Sequence, residues 1–116
     1  MNQPRIVCLC GSTRFSQAFH DANLRETLAG RIVLSIGCDM RSDADVFAGM
    51  SEQELTRIKA QLDVLHFAKI DLADEVLILD VGGYIGESTR REFCYAEMRG
   101  KVIRLLSLES DEVRAS

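Results

Sequence analysis

Residues 76–95 constrain this chain more than any other stretch: Val76-Leu-Ile-Leu-Asp80-Val-Gly-Gly-Tyr84-Ile-Gly-Glu87-Ser-Thr-Arg-Arg-Glu92-Phe-Cys-Tyr95. The opening apolar run has the pattern of a strand covered on both faces. Asp80 stands at its carboxyl end, three glycines follow within five residues, and a polar helix start carries Ser88, Thr89 and Glu92. Strand, glycine turn and helix N-terminus in that order favour a phosphate or sugar, because backbone N–H groups and the helix dipole both attract negative charge.

A second unit of the same kind opens the chain. Residues 5–10, Arg-Ile-Val-Cys-Leu-Cys, form an apolar run that Gly11-Ser12-Thr13-Arg14 breaks sharply. Phe15, Ala18, Phe19, Ala22 and Leu28 then keep helical spacing up to a stop at Gly30, and a strand over 31–36 follows. Strand, turn, helix and strand in about thirty residues make a βαβ unit.

Residues 38–50 carry Asp39, Arg41, Ser42, Asp43 and Asp45 with no clean period, and read as a long loop with one helical turn around 44–47. Ser51-Glu-Gln-Glu54 is a capping box, and Leu55, Ile58, Leu62, Leu65 and Leu72 continue at helical spacing. A helix of about 20 residues would reach roughly 30 Å, more than so small a domain covers. Either part of the 51–72 helix packs on a second copy, giving a homodimer, or the helix breaks near Asp71. A third strand over 75–80, a third helix over 88–99 capped by Gly100, a fourth strand over 102–106 and a solvated tail from Ser107 complete the pattern. Alternating strands and helices imply an α/β fold, a three-layer αβα sandwich on a four- to five-stranded parallel sheet of Rossmann-like type. The 116 residues make one domain, 1–116.

A net charge of −4 argues against clamping a nucleic-acid polymer, though not against a single nucleotide. No apolar run approaches the ~18 residues of a membrane span, and the N-terminus enters a strand at once, so a cytoplasmic protein without signal peptide is expected. Of the four cysteines, Cys8, Cys10, Cys38 and Cys94, none forms a CxxC, and no His pair has zinc spacing. They read as buried thiols, and neither a metal nor a cofactor is expected.

Gly11, Ser12, Thr13 and Arg14 offer backbone and hydroxyl donors and a guanidinium for a phosphate. Ser12 and Thr13 would equally serve as helix caps. Gly83, Tyr84, Gly86 and Ser88 belong to the second turn, where Tyr84 could stack on a base. Thr89 with Glu92 also satisfies a capping box, the structural alternative for Glu92. Asp80 has no helix to cap, so it binds a loop backbone or faces a ligand. His66, beside Leu65 and Phe67, reads as a packed or solvent-facing residue. Of Asp71 and Asp74, one would hydrogen-bond the entry to the third strand.

Taken together, Cys-Gly-Ser-Thr-Arg at 10–14 resembles the phosphate-binding turn of the 2′-deoxynucleoside 5′-phosphate N-hydrolases. Ala73-Asp-Glu-Val, Glu92-Phe-Cys-Tyr-Ala96 and Gly100-Lys-Val-Ile resemble segments of the nucleoside 2-deoxyribosyltransferase superfamily. Gly82, Gly83 and Gly86 with Glu92 are similar to the glycine loop of the LOG-type phosphoribohydrolases. The resemblance implies N-glycosidic cleavage or transfer on a nucleoside 5′-monophosphate. Glu92 would be the key carboxylate, Asp80 would assist, and Ser12, Arg14 and Ser88 would hold the phosphate. Three positions depart from the pattern: Cys8 replaces an aromatic, His66 an aspartate, and Gly86 an aspartate or serine. Asp80, Asp71 and Tyr84 would then take over those roles, or the site binds a nucleotide without cleaving it.

Overall fold

The computed structural model describes residues 3–36 and 48–109. Four strands form one parallel sheet in the order β2-β1-β3-β4: β1 (Ile6–Cys10), β2 (Ile32–Leu34), β3 (Glu75–Ile78) and β4 (Val102–Leu105). The central pair, β1 and β3, is aligned with Cys8 opposite Val76 and Cys10 opposite Ile78. Their alternating side chains divide the core in two. Val7, Leu9, Leu77 and Leu79 pack with Phe19 and Ala22 of helix α1 (Ser16–Leu28). Cys8, Cys10, Val76 and Ile78 pack with Ile70 of α2 (Glu52–Leu72) and Ala96 of α3 (Glu87–Met98). The sheet therefore lies between α1 and the pair α2–α3. This is the three-layer αβα sandwich of Rossmann-like type, with four strands.

Ser51 accepts a hydrogen bond at Oγ from Glu54 N (3.2 Å), as the capping box requires. From there α2 runs 21 residues without a break at Asp71 and ends at Leu72. Among the described residues no helix is long and apolar enough to cross a membrane.

Two expectations need correction. The chain from Ser107 is not simply a solvated tail: residues 106–109 are helical, Ser107 bonds Asp80, and Glu109 pairs with Arg104 and Arg25. Glu109 reads as solvated because Arg25, one of its partners, lies 84 positions away. Cys94 is exposed rather than buried, since it lies on the outer side of α3. Cys38 and the expected turn around 44–47 fall outside the described residues.

Candidate functional site

Both glycine turns lie at the carboxyl edge of the sheet, because they follow neighbouring parallel strands. At the first, Leu79 N donates to the Cys10 carbonyl (2.7 Å), which draws the strand ends together. A Cβ on Gly11 would sit 3.0 Å from Leu79 Cβ and 3.3 Å from its carbonyl oxygen, tight enough that the β3 end would have to give by a few tenths of an ångström. Ser12 does not cap α1. Its Oγ accepts from Arg14 N (3.3 Å) and its carbonyl from Phe15 N (3.0 Å), closing a local turn. Helix α1 starts with no side-chain cap.

The second turn follows Asp80 as a single 3-10 turn, Val81–Gly83. Gly82 and Gly83 have φ of 62° and 81°, the left-handed region that favours glycine. Helix α3 then starts after Gly86, again without a side-chain cap. The capping-box alternative for Glu92 is thereby removed. Its carboxylate serves no cap and instead points between the helices and the sheet.

The two turns meet. The Arg14 guanidinium lies 4.5 Å from the Tyr84 ring centroid, a cation–π contact, and Phe15 meets the same ring edge-on at 5.9 Å. A Cβ on Gly86 would come within 3.2 Å of Tyr84 Oη, so the glycine leaves room for this ring. Thr13 and Ser88 are exposed, and Ser88 Oγ accepts from Arg91 Nη2 (3.2 Å).

Beneath the turns is a cluster that no local motif reveals. Cys8 and Cys10 alternate along β1 and so share the face toward α2 and α3. His66 on α2 reaches both, with Nε2 3.3 Å from Cys10 Sγ and 3.7 Å from Cys8 Sγ. Glu92 on α3 completes the group, its Oε1 3.8 Å from His66 Nε2. Glu92 is 9 % exposed, and among the described residues its Oε1 is the buried side-chain oxygen left without a hydrogen-bond partner. The Sγ and Nε2 atoms of Cys8, Cys10 and His66 lie within 4.8 Å of one another.

The groups perturb one another strongly. Burial pushes the Glu92 carboxyl up to about 7, against the pull of His66. The Cys10 thiol beside Cys8 lowers Cys8 to about 6, overcoming burial, with help from His66. Cys10 is raised well above a normal thiol by Cys8, by burial and by Glu92. Burial pushes His66 down, but Cys8 and Glu92 outweigh it and leave the imidazole more basic than usual.

The remaining acids are engaged elsewhere. Asp80 is buried, with Oδ1 accepting from Ser107 N (2.8 Å) and Oδ2 from Ser107 Oγ (2.7 Å), so both oxygens bind the chain leaving β4. Asp71 accepts from Tyr95 Oη (2.7 Å) and pairs with Arg99 (2.9 Å). Asp74 accepts from Ile6 N (2.8 Å) at the opposite edge of the sheet, where β1 begins. Of the anticipated residues, the structure brings together Gly11, Arg14, Tyr84 and Gly86 around the turns. Glu92 lies about 8 Å along α3 from its first residue, at the standard rise. Residues Cys8, Cys10 and His66 are the additions. Two of them, Cys8 and His66, stand out in the sequence only as departures from a resemblance, and that was the available signal.

The chain matches no protein-family model and none of the curated proteins.

Proposed function

We propose that the protein binds a nucleoside or nucleotide at the paired glycine turns and cleaves or transfers at its N-glycosidic bond, with Glu92 facing the sugar. The observation that carries this reading is the unpartnered Oε1 of Glu92, buried on α3 beside His66. A buried acceptor without a partner costs about 1–3 kcal/mol, a cost that a ligand-facing role explains and a packing role does not. Loss of a base leaves positive charge at C1′, as in glycoside hydrolysis, and a carboxylate held in a low-dielectric site stabilises that charge. The turn amides and Arg14 suit the 5′-phosphate, and Arg14 would favour nucleotides over nucleosides. The test is base release from a panel of nucleosides and nucleoside monophosphates by wild type and Glu92→Ala. Equal background rates from both would end the enzymatic reading.

A second reading has its own support. Asp80 has both oxygens on Ser107, so among the described residues it is not free to serve as the second carboxylate that glycosidases pair with the first. A nucleotide-binding module without chemistry would be stabilised by nucleotides yet form no product. In either case Arg14→Ala should weaken nucleotide binding about 10- to 100-fold, the worth of one charge-assisted contact of 1.5–3 kcal/mol. Thermal shifts across a nucleotide titration measure this, and an unchanged midpoint would remove Arg14 from the site.

The same reading includes a homodimer through α2. Leu62, Leu65 and Leu72 are 48, 53 and 68 % exposed and lie on one flank of that helix. Light scattering at micromolar concentration should return twice the mass of one chain, and a monomer mass would refute it.

A further inference from the structure

We propose that Cys8, Cys10 and His66 form a three-donor seat for a divalent ion of zinc type, with Glu92 beside the imidazole to close the fourth position. The inference does not rest on the nucleotide reading, although it shares Glu92 with it.

The donor set fits first by type. Two thiolates, an imidazole and a carboxylate are the ligands of borderline-soft Zn²⁺. It fits also by distance. With Zn–S of ~2.3 Å and Zn–N of ~2.05 Å, a tetrahedral S···N edge is about 3.6 Å long. The observed edges from His66 Nε2 to Cys10 and Cys8, 3.3 and 3.7 Å, lie on either side of it. The Nε2···Oε1 edge to Glu92, 3.8 Å, exceeds its ideal of about 3.4 Å, and Glu92 stands outside the 4.8 Å group of the other three donors, so its carboxylate has to swing inward to become the fourth ligand. The independent sign is Glu92 itself. It is 9 % exposed, its Oε1 lacks a hydrogen-bond partner among the described residues, and it stands beside the imidazole nitrogen. A cation among these four atoms would supply that partner.

Placement on rigid elements favours the seat. A β-strand's two-residue period sets Cys8 and Cys10 side by side without a loop, and the other donors come from two packed helices. Ion entry displaces whatever protons the four side chains carry and leaves two thiolates, a neutral imidazole and a carboxylate around the metal. A bound ion would also hold the carboxylate that the sugar chemistry needs, so the metal-loaded protein would be the inactive form.

Cobalt(II) tests the seat without any nucleotide. Metal-free protein should take up one Co²⁺ per chain with a thiolate-to-cobalt charge-transfer band and intense tetrahedral d–d bands, both erased by excess Zn²⁺. Cys10→Ser and His66→Asn should weaken uptake at least about 100-fold, and Glu92→Gln at least about 10-fold, because each removes a ligand. Cys38→Ser and Cys94→Ser should leave the bands intact. Circular dichroism checks that each variant folds, and Zn²⁺ should raise the melting temperature of wild type but not of Cys10→Ser. Absence of the charge-transfer band in wild type, its survival in Cys10→Ser, or its loss in Cys38→Ser or Cys94→Ser would overturn the proposal. Because the readout is spectroscopic, failure here leaves the base-release test standing, and the reverse holds.

Discussion

Glu92→Gln, in metal-free protein at pH 8, should cut base release at least about a thousandfold and raise the melting temperature by about 10 °C. The first effect is the loss of the only carboxylate in the cluster, on the scale seen when a single essential group is removed. The second comes from linkage. The Glu92 carboxyl sits at about 7 in the fold against 4.5 in the unfolded chain, chiefly because burial disfavours its charge. Below pH 4.5 both states are protonated and the position costs nothing. Between 4.5 and 7 the unfolded chain ionises while the fold retains its proton, so stability falls as pH rises. Above 7 the full cost is in place, on the order of 2–3 kcal/mol. Glutamine cannot ionise and removes that slope, and a degree of melting temperature is worth roughly a quarter of a kcal/mol in a domain this size. His66, Cys8, Cys10 and Asp63 are the titratable groups that act on Glu92. A variant no more stable than wild type at pH 8 would mean that the carboxylate is solvated better than the structure has it. Higher stability without any wild-type base release would favour the binding module.

Glu26→Ala should destabilise the fold by about 1.5–3 kcal/mol, because it removes the buried centre of an ion-pair network whose cations keep other partners. Glu26 is 2 % exposed near the end of α1. Its Oε1 accepts from Arg104 Nη1 (2.8 Å) and Nη2 (2.9 Å) and lies 3.4 Å from Arg31 Nη1, while Oε2 accepts from Arg25 Nε (3.3 Å). Arg104 also pairs with Glu75 (2.9 Å) and Glu109 (2.8 Å), and Arg5 reaches Glu75 from the far strand end (3.0 Å). The network therefore joins α1, β1, β3, β4 and the helical residues 106–109. Against a typical total of 5–15 kcal/mol, the loss is a large fraction. Urea denaturation measures it. A loss under 1 kcal/mol would place the network among surface pairs of little worth. A double-mutant cycle with Arg104→Ala should return a coupling of about 1–3 kcal/mol, as expected of residues in one network.

The fold was legible because its signals are local. Apolar runs at 5–10, 76–79 and 102–106, broken by glycines and separated by helical spacing, leave few arrangements other than a parallel sheet between helices. The capping box at Ser51 and the stops at Gly30 and Gly100 placed helix ends to within a residue or two. The network around Arg104 was not legible. Its one trace was a cation inside the apolar run Val-Ile-Arg-Leu-Leu, and its partners are 29 and 78 positions away. The site was half legible. The glycine turns announce themselves, since φ near 62° at Gly82 favours glycine and a side chain at Gly11 would crowd Leu79. His66 did not, because a histidine on a packed helix face reads as core. Asp80 had two open roles, and the serine that occupies it lies 27 positions on. The spacing rule that spoke against a metal site looks for neighbours in sequence, whereas Cys8 and Cys10 meet a histidine more than fifty positions away.

The room that Gly86 leaves for Tyr84 bears on the order in which such a site can change. Introducing serine or aspartate at position 86 while the tyrosine is present brings a Cβ to 3.2 Å from the Tyr84 hydroxyl, so the ring tip has to give by a few tenths of an ångström. Replacing Tyr84 first opens the space, and the second change then carries no steric penalty from that ring. The two positions are coupled through that contact, and the route that changes Tyr84 first avoids it.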